Sequence, residues 1–344
     1  MKKITNKIFK LSTFVSIVFI LNSCIDDNIS PPLTGELNST AELLVYFETL
    51  GDFANSEFAP ALIDAEEVNA NLNNYLIIDV RENIDFINGH IEGALNVASD
   101  SLYSFIESII PQNYQKIILV SKNGHASAYY TCLLRLSGIN NVYTLNFGMA
   151  SWHLDFAAEW LNALWDDDEV VNFTADNFPK NDFTNLPVIN FGNPNDSIEE
   201  KARERILLLL DTGFKNTEVY RSSFDLFEND LLICYGTSML YSGKLHGIGH
   251  KVGTIHYMSS PLYELRSVNY LQTLPPDKTI LIYSFNGQLS ACITAYLRTL
   301  GYDAITLQFG ANQIFYSGML IHPELSAYTF DQTDIKNFPY VSGN

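Results

Sequence analysis

A long internal repeat constrains the fold of this chain more than any other feature. The segment Ile118–Ala128 (ILVSKNGHASA) recurs as Leu281–Ala291 (LIYSFNGQLSA), and each copy passes from an apolar run into helix-forming sequence. Further landmarks recur in the same order, roughly 160 residues apart: Gly89-His90 and Gly249-His250, Gly138 and Gly301, Phe147-Gly148 and Phe309-Gly310, and Asn177-Phe178-Pro179 and Asn337-Phe338-Pro339. Their shared order indicates that one folding unit has been duplicated.

Strand and helix patterns alternate within each copy. Short apolar runs typical of buried strands lie at Tyr75–Val80, Lys116–Val120, Asn141–Asn146, Leu231–Tyr235, Thr279–Tyr283 and Ala304–Gln308. Helical patterns lie at Thr40–Leu50, Ser101–Ile110, Ala126–Ser137, Trp152–Trp165, Ile198–Asp211 and Ser290–Leu300. Strands that alternate with helices predict an α/β fold, in which each copy forms a mostly parallel sheet with helices on both faces.

The repeat and the composition divide the chain into five predicted segments. They are a signal peptide over residues 1–23, a polar tether over 24–39, a first domain over 40–165, a linker over 166–196 and a divergent second domain over 197–340. The linker is assigned because it is rich in Asn, Asp and Pro, which disfavour regular structure.

The N-terminus has the pattern of an export signal. Basic residues precede the apolar run Leu11–Leu21, which is too short to span a membrane as a mature helix. The following Leu21-Asn22-Ser23-Cys24 resembles a bacterial lipobox, which implies cleavage before Cys24 and lipidation of its thiol. We therefore expect a cell-envelope protein, lipid-anchored to a bacterial membrane at the outer membrane or the periplasmic face. A plain signal peptide followed by an unrelated cysteine is the alternative.

Charge and cysteine spacing limit the expected partners. The formal net charge is −19, which repels phosphate backbones, so nucleic acid is not expected to bind. No CxxC or Cys/His spacing typical of a metal site occurs, and we predict neither a metal nor a cofactor. Membrane contact is expected through the lipid anchor, and a protein partner or a small anion remains a possible ligand.

The landmarks of the first copy resemble the rhodanese-like domain. They are Ile78-Asp79-Val80-Arg81, Gly89-His90-Ile91-Glu92-Gly93-Ala94, and Phe147-Gly148 followed by Trp152. The second copy is fainter, with Cys234-Tyr235-Gly236 where the first copy has Asp79-Val80-Arg81. The resemblance covers nearly all of residues 40–340 and implies two rhodanese-like domains in tandem.

The resemblance implies a site in the loop that follows the second long strand of each copy. Active members of the family carry a cysteine there, at the position of Ser121 and Ser284. Backbone N–H groups and the helix dipole lower the pKa of such a cysteine, which accepts sulfur as a persulfide. An unassisted serine hydroxyl is a poor nucleophile and cannot carry sulfur in this way. We therefore predict a catalytically degenerate protein with a binding or scaffolding role.

The first loop retains features that suit an oxyanion, because it has a tight glycine turn, a lysine and two hydroxyls. Its residues are Ser121, Lys122, Asn123, Gly124, His125, Ala126 and Ser127. The second loop has no cation and is more typical of a contact surface, with Ser284, Phe285, Asn286, Gly287, Gln288, Leu289 and Ser290. Alternatively, both loops serve only the shape of the strand–helix junction.

Two enzymatic alternatives remain. Cys234 ends a predicted central strand and could replace the loop thiol in a thiosulfate-type sulfurtransferase or thiol-handling enzyme, unless it is buried or forms a disulfide with Cys292. A Ser121–His125 pair could support a serine-dependent hydrolase. A solvent-exposed loop histidine is the alternative there, since the second loop has Gln288 at that place.

Several other residues are interpreted as structural. His90 and His250 are expected to be architectural, and Arg81 is expected to pair with Asp79 as scaffolding. Cys132 and Cys292 are expected to pack in the core as small apolar side chains.

Overall fold

The computed structural model describes residues 38–166, 173–227, 230–243, 249–322, 325 and 328–343. The predicted signal peptide, Cys24 and nearly all of the tether lie outside these residues. Among the helices that are described, none is both long and apolar enough to cross a membrane.

The first half of the molecule, residues 38–166, contains short strands and helices in alternation. Its strands are β1 (Leu62–Ile63), β2 (Leu76–Asp79), β3 (Leu95–Asn96), β4 (Ile117–Val120) and β5 (Val142–Leu145). Its helices are α1 (Ser39–Thr49), α2 (Ala65–Ala70), α3 (Asn83–Asn88), α4 (Ser99–Ser108), α5 (His125–Leu136), α6 (Met149–Trp152) and α7 (Ala158–Ala163).

The first tail, residues 173–179, contains β6 (Phe173–Thr174) and leads to the second half, residues 198–336. The strands of the second half are β7 (Glu218–Val219), β8 (Leu231–Gly236), β9 (His250–Lys251), β10 (Ile255–Met258), β11 (Thr279–Tyr283) and β12 (Asp303–Leu307). Its helices are α8 (Ile198–Thr212), α9 (Ser238–Tyr241), α10 (Gln288–Thr299) and α11 (Tyr316–Leu320). A second tail, residues 337–341, follows.

Each half contains one five-stranded parallel sheet, and the two sheets have the same strand order. The first is ordered β1-β5-β4-β2-β3 and the second β7-β12-β11-β8-β10, so corresponding strands occupy corresponding places. The predicted α/β fold with parallel sheets flanked by helices is confirmed. The six strands predicted from apolar runs all form, each within one residue of its predicted bounds.

None of the four edge strands was predicted, neither β3 and β10 at one edge nor β1 and β7 at the other. Strands β1 and β7 are each two residues long, too short to show either an apolar run or an alternating pattern. Each nevertheless completes its sheet by pairing with β5 or β12.

The prediction of one continuous helix over Trp152–Trp165 is wrong. Helix α6 ends at Trp152, a 3₁₀ turn covers Leu154–Phe156, and α7 begins only at Ala158. The break occurs at His153, which has an extended backbone and accepts a hydrogen bond from the Asp155 N–H through its ring. The apolar spacing continues across the break, which is why the sequence pattern indicates a single helix.

The two halves pack against each other through α5 and α10. Nearly every residue of both helices is buried, because each helix lies between its own sheet and the opposite helix. Cys132 and Cys292 lie in this shared apolar core, as predicted. At its margin, Arg266 pairs with Asp52 of the first half at 2.7 Å, which adds a polar contact between the halves.

Each tail packs on the half to which it does not belong in sequence. In the first tail, Thr174 pairs with His250 between β6 and β9, and the Phe178 N–H donates to the Tyr241 hydroxyl at 3.1 Å. In the second tail, Val341 pairs with His90, while the Trp152 indole donates to the Pro339 carbonyl at 2.9 Å. The duplicated Asn-Phe-Pro segments therefore make reciprocal contacts.

Candidate functional site

The two duplicated loops lie at the carboxyl ends of β4 and β11, near the centre of each sheet. Gly124 and Gly287 immediately precede α5 and α10, with φ of 89° and 83°. This left-handed conformation favours glycine, which explains the Asn-Gly step in both copies. The loops therefore connect a central strand directly to the helix at the interface between the halves.

The hydroxyl of Ser121 occupies the centre of the first loop. Its Oγ accepts hydrogen bonds from the N–H groups of Gly124 at 3.1 Å and Ser127 at 3.2 Å, and it lies 2.9 Å from the Ser127 hydroxyl. Only 3% of Ser121 is exposed. Two of the N–H groups that could bind an oxyanion therefore bind this hydroxyl.

The second loop repeats this arrangement. Ser284 Oγ accepts from the Ser290 N–H at 3.1 Å and donates to the Ser290 hydroxyl at 3.2 Å. That hydroxyl in turn lies 2.7 Å from the hydroxyl of Thr306 on β12. The contact between the two serines of the loop is thus the same in both copies, and the first loop adds a hydrogen bond from the Gly124 N–H.

A Phe-Gly turn lies directly over each loop. The N–H groups of Met149 and Ala311, which follow these turns, donate to the carbonyls of Ser121 and Ser284, each at 2.9 Å. A Cβ atom on Gly148 would lie 2.3 Å from the Ser121 carbonyl oxygen. A Cβ on Gly310 would lie 2.2 Å from the Ser284 carbonyl oxygen. Both turns therefore require glycine.

The expectation that His125 is solvent-exposed is wrong. The side chain is 0% exposed, and its Nε2 lies 3.0 Å from the carbonyl oxygen of Asn286 and 3.2 Å from the amide nitrogen of Phe309. Burial lowers the pKa of His125 to about 4, so the ring is neutral at pH 7. It is buried because the second half packs directly on the first loop.

The same contacts argue against a Ser121–His125 catalytic pair. The Ser121 hydroxyl is bound within its own loop, whereas His125 Nε2 faces the second half. The other ring nitrogen, Nδ1, has no hydrogen-bond partner among the described residues. No nucleophile–base hydrogen bond of the kind that serine catalysis needs is therefore formed between these two residues.

Gln288 makes the reciprocal contact from the second loop. Its Oε1 accepts from the Phe147 N–H at 3.0 Å, and its Nε2 donates to Asn146 Oδ1 at 2.9 Å. Each loop therefore sends one polar side chain to the Phe-Gly turn of the other half. The sequence repeat shows that positions 125 and 288 correspond. It does not indicate that each side chain contacts the opposite half.

The remaining polar groups of the first loop also have partners within the protein. Lys122 is half exposed and pairs with Glu159 at 2.6 Å. Asn123 accepts from the His125 N–H through its side chain, and its carbonyl accepts from the Trp160 indole at 3.0 Å. The predicted loop cation thus already has a carboxylate partner.

The structure does not support Cys234 as a reactive thiol. The side chain is 0% exposed in an apolar cluster beneath the second sheet, and burial raises its pKa to about 12. The proposed Cys234–Cys292 disulfide is absent, since both are free thiols and belong to different apolar clusters. Burial also raises the pKa of Cys132, and the neighbouring Cys292 thiol raises it further.

A buried ion pair distinguishes the first half from the second. Arg81 Nη2 lies 2.6 Å from Asp79 Oδ2 and also donates to the Gly89 carbonyl at 2.7 Å. Asp79 pairs in register with Val120, one residue before the first loop, and Cys234 pairs with Tyr283, one residue before the second. Cys234 and Gly236 of the second half therefore take the places of Asp79 and Arg81.

His90 and His250 have equivalent structural surroundings. His90 Nδ1 lies 2.8 Å from the Phe86 carbonyl, and His250 Nδ1 lies 2.8 Å from the Tyr241 carbonyl. Each imidazole also stacks on the ring of that same residue, with centroids 3.6 Å apart. These contacts agree with the architectural role predicted for both histidines.

Comparison with known proteins identifies the family. A family model described as the rhodanese-like domain matches residues 64–155, which include β2 to β5 and the first loop. Thiosulfate sulfurtransferase GlpE of Shewanella oneidensis is 32% identical over 77 residues, covering 74% of that protein and 22% of this chain. The chain belongs to the rhodanese-like family.

A second relative and two solved structures also match parts of this chain. Thiosulfate sulfurtransferase GlpE of Stutzerimonas stutzeri is 29% identical over 84 residues, covering 75% of that protein and 24% of this chain. Among solved structures, a thiosulfate sulfurtransferase from Pseudomonas aeruginosa is 14% identical with a TM-score of 0.27, covering 87% of this chain and 70% of that one. A rhodanese-related protein from Thermoplasma volcanium is 19% identical with a TM-score of 0.24, covering 29% of this chain and 92% of that one.

Proposed function

We propose that this rhodanese-like protein has lost sulfur transfer and acts by binding, as a scaffold or ligand-holding protein of the cell envelope. The observation that carries the proposal is the serine hydroxyl at the centre of the Ser121 and Ser284 loops. The family resemblance implies a sulfur-carrying cysteine at that position, and a serine oxygen cannot form a persulfide. The three cysteines in the described part of the chain are all fully buried, which supports the same conclusion.

The proposal includes a second rhodanese-like domain. The identical strand order of the two sheets, the equivalent loop hydrogen bonds and the paired Phe-Gly turns support it. On this interpretation the second half is a diverged copy that has replaced the Asp79–Arg81 ion pair with Cys234 and Gly236.

Oxyanion binding at the first loop receives less support than a binding role in general. An incoming anion would have to displace the Ser121 hydroxyl from the loop amides and compete with Glu159 for Lys122. The Phe-Gly turn and the Trp160 contact also cover the loop.

Lipid anchoring at Cys24 is part of the proposed function and is tested separately. In a bacterial expression host fed with a radiolabelled fatty acid, the full chain should incorporate label and sediment with membranes. The Cys24→Ala variant should do neither. Equal labelling of both proteins would remove the anchor from the proposal.

The alternative is an active sulfurtransferase, and the thiosulfate sulfurtransferases among the relatives favour it. Such an enzyme would need Cys132, Cys234 or Cys292 to become accessible to thiosulfate. A serine-dependent hydrolase has weaker support, because His125 faces the second half.

A sulfur-transfer assay on residues 25–344 separates these functions. We expect neither thiosulfate:cyanide turnover nor a one-sulfur mass adduct after thiosulfate treatment. The Ser121→Cys and Ser284→Cys variants report whether either loop can activate a thiol. Turnover by the unaltered protein that disappears in Cys234→Ala would overturn the proposal in favour of the sulfurtransferase, with Cys132→Ala as the matched control.

A further inference from the structure

Both halves hold an extended segment of the chain at an equivalent place. In the second half, Thr174 of the first tail pairs antiparallel with His250. In the first half, Val341 of the second tail pairs antiparallel with His90. His90 and His250 are equivalent positions of the duplication, since each follows the glycine of a Gly-His pair. The fold therefore presents, at this point of each half, an edge to which an extended segment can be added.

The second tail lies in a groove on the first half. We call this surface the tail groove, and it is formed by Gly89, His90, Trp152, Asp155 and Phe156. His90 and Val341 exchange two backbone hydrogen bonds, of 2.9 and 3.0 Å. The Phe338 N–H donates to the Trp152 carbonyl at 2.9 Å, and the Trp152 indole donates to the Pro339 carbonyl at 2.9 Å. Main-chain bonds of this kind hold an extended peptide, and side chains supply the selectivity.

Two aromatic side chains of the second tail occupy the tail groove. The Phe338 ring packs edge-on against Trp152, with centroids 5.2 Å apart. The Tyr340 ring packs in the same way on Phe156 at 4.9 Å, and its hydroxyl donates to Asp155 Oδ2 at 2.7 Å. An extended backbone places side chains two residues apart on one face. The groove therefore selects two aromatic residues that are separated by one position.

Glycine makes room for the tail in both halves. A Cβ on Gly89 would lie 2.6 Å from Phe156 Cζ and 2.8 Å from the Tyr340 ring. The φ of Gly89 is 167°, an extended value that any residue can adopt, so the requirement for glycine here comes from space. In the second half, a Cβ on Gly249 would lie 1.9 Å from the Thr174 carbonyl oxygen. The Gly-His landmark of each copy thus coincides with the place where an extended segment docks.

The second tail is the part of this contact that can open. Its residues belong to neither five-stranded sheet. Phe338 and Tyr340 are only partly buried, while Pro339 and Val341 are exposed. Segments with few buried contacts open at a low free energy, without unfolding of the elements on which they lie. Opening of the tail would expose an aromatic groove on an otherwise intact first half.

We propose that the tail groove binds an extended peptide of another protein in which two aromatic residues flank a proline, and that the second tail occupies the groove until such a peptide replaces it. Residues 337–343 have no charged side chain. The net charge of −19 would repel an acidic peptide, so the partner segment is uncharged or basic. The inference rests on the proposed binding role and gives it a partner class. Its failure would leave the loss of sulfur transfer untouched, because that loss is tested on thiols.

The first test measures how a fluorescein-labelled peptide of residues 337–343 binds to residues 25–344, by fluorescence polarisation. In the unaltered protein the tethered tail competes at an effective concentration on the order of millimolar. A release variant with Phe338→Ala and Tyr340→Ala loses the aromatic contacts of its own tail. It should bind the peptide at least about tenfold more tightly than the unaltered protein does. Equal affinity, or no binding to either protein, would overturn the proposal.

The second test locates the peptide in the groove. A Tyr340→Phe peptide lacks the hydroxyl that donates to Asp155, and Asp155→Ala in the release variant lacks the acceptor. Each change should weaken binding about fivefold, and both together no more than one, because they remove the same hydrogen bond. Asp100→Ala is the matched control, since this exposed carboxylate on α4 accepts from Ser101 and should leave binding unchanged. Losses that multiply would place the peptide elsewhere and overturn the proposal.

The third test blocks the groove and identifies its occupant. Gly89→Ala in the release variant places a methyl group in the space of the Tyr340 ring and should abolish peptide binding. Retained binding would overturn the proposal. Analytical ultracentrifugation of the unaltered protein should show a monomer. A dimer that the release variant cannot form would assign the groove to the tail of a second copy and overturn the proposal of a foreign partner.

Discussion

The loop after β4 and the loop after β11 share most of their internal hydrogen bonds but have different surroundings. In both, a serine hydroxyl accepts from a helix-start N–H, and a Phe-Gly turn covers the backbone. The first loop is closed over by Trp160 and the Lys122–Glu159 pair, whereas the second borders a cavity. The same backbone arrangement thus lies in two different surroundings, which depend on the side chains around each loop.

The ends of β2 and β8, the strands beside those that lead to the loops, differ in the same way. The first half buries an ion pair between Asp79 and Arg81, and the second half has Cys234 and Gly236 in those places. The second half therefore shows that this sheet can form without the ion pair. The following predictions test how far the two halves are interchangeable.

The largest expected effect on stability is that of Arg81→Gly, which gives the first half the residue that the second half has at the equivalent position, Gly236. Asp79 is fully buried and would lose its charged partner. Breaking such a pair costs about 3–5 kcal/mol of unfolding free energy. Urea denaturation followed by tryptophan fluorescence would measure the loss.

The double variant Asp79→Cys plus Arg81→Gly is the matched control. It copies the second half at both positions of the ion pair and leaves no unpaired carboxylate, so most of the stability should return. A double variant as unstable as Arg81→Gly would show that the first half depends on the ion pair in a way the second does not.

A pH-dependent effect is expected from His125→Gln, which gives the first loop the residue that the second loop has at the equivalent position, Gln288. The pKa of His125 falls from 6.5 to about 4 on folding, so the unfolded chain binds more protons between these values. Stability from this group is present above pH 6.5 and falls by about 3 kcal/mol as the pH drops to 4. The variant should lose this dependence in urea titrations at pH 7 and pH 4.

The converse variant Gln288→His provides the control for that experiment. It should add a second acid-sensitive contact and steepen the loss of stability below pH 6.5. Some acid sensitivity will remain in His125→Gln, since burial also lowers the pKa of His250 and His256. An identical pH profile for the unaltered protein and His125→Gln would contradict the burial of His125.

A smaller effect, of the same size in both halves, is expected from alanine at the glycines of the two Phe-Gly turns. Gly148→Ala and Gly310→Ala each place a Cβ against a loop carbonyl and should cost about 2 kcal/mol through overpacking. Gly93→Ala is the control, because Gly93 has a φ of +80° but a Cβ added there would meet no atom within 4 Å. Thermal unfolding would rank the stability losses of the three variants. Equal losses in all three would show that the cost comes from the positive φ and not from the contact of the added Cβ.

The smallest expected effect concerns the tails. Trp152→Phe removes one hydrogen bond to Pro339, and Tyr241→Phe removes the acceptor of the Phe178 N–H together with a hydrogen bond to the Thr254 carbonyl. Each lost hydrogen bond should cost about 1 kcal/mol. Amide hydrogen exchange should become faster only in the tail that contacts the altered residue. Faster exchange throughout both halves in either variant would show that the tails stabilise more than their own contacts.

The sequence was sufficient for the fold and for the position of both loops, because these depend on local requirements. Apolar runs predicted the central strands, and the Asn-Gly steps coincide with left-handed glycines before α5 and α10. The surroundings of the loops were not predictable. Whether His125 is exposed depends on the second half packing over it, and no local pattern reports a contact between residues so distant in the chain.

The choice between a reactive and a buried Cys234 was left open for the same reason, and the structure shows the buried thiol. Its place at the end of a strand indicated a position near the loop, but its side chain enters an apolar cluster with Tyr241 and Tyr283. The cavity beside the second loop was also invisible to the sequence, because half of its wall comes from the segment around Pro60.

The exchange of tails has a consequence for the order in which the molecule is made. Val341 leaves the ribosome after the whole second half, yet it pairs with His90, which emerges early in synthesis. The first half can begin to fold as it appears, but it gains these closing contacts only once the second half has been synthesised. The nascent chain therefore carries an unfinished first half while its second half is still being added.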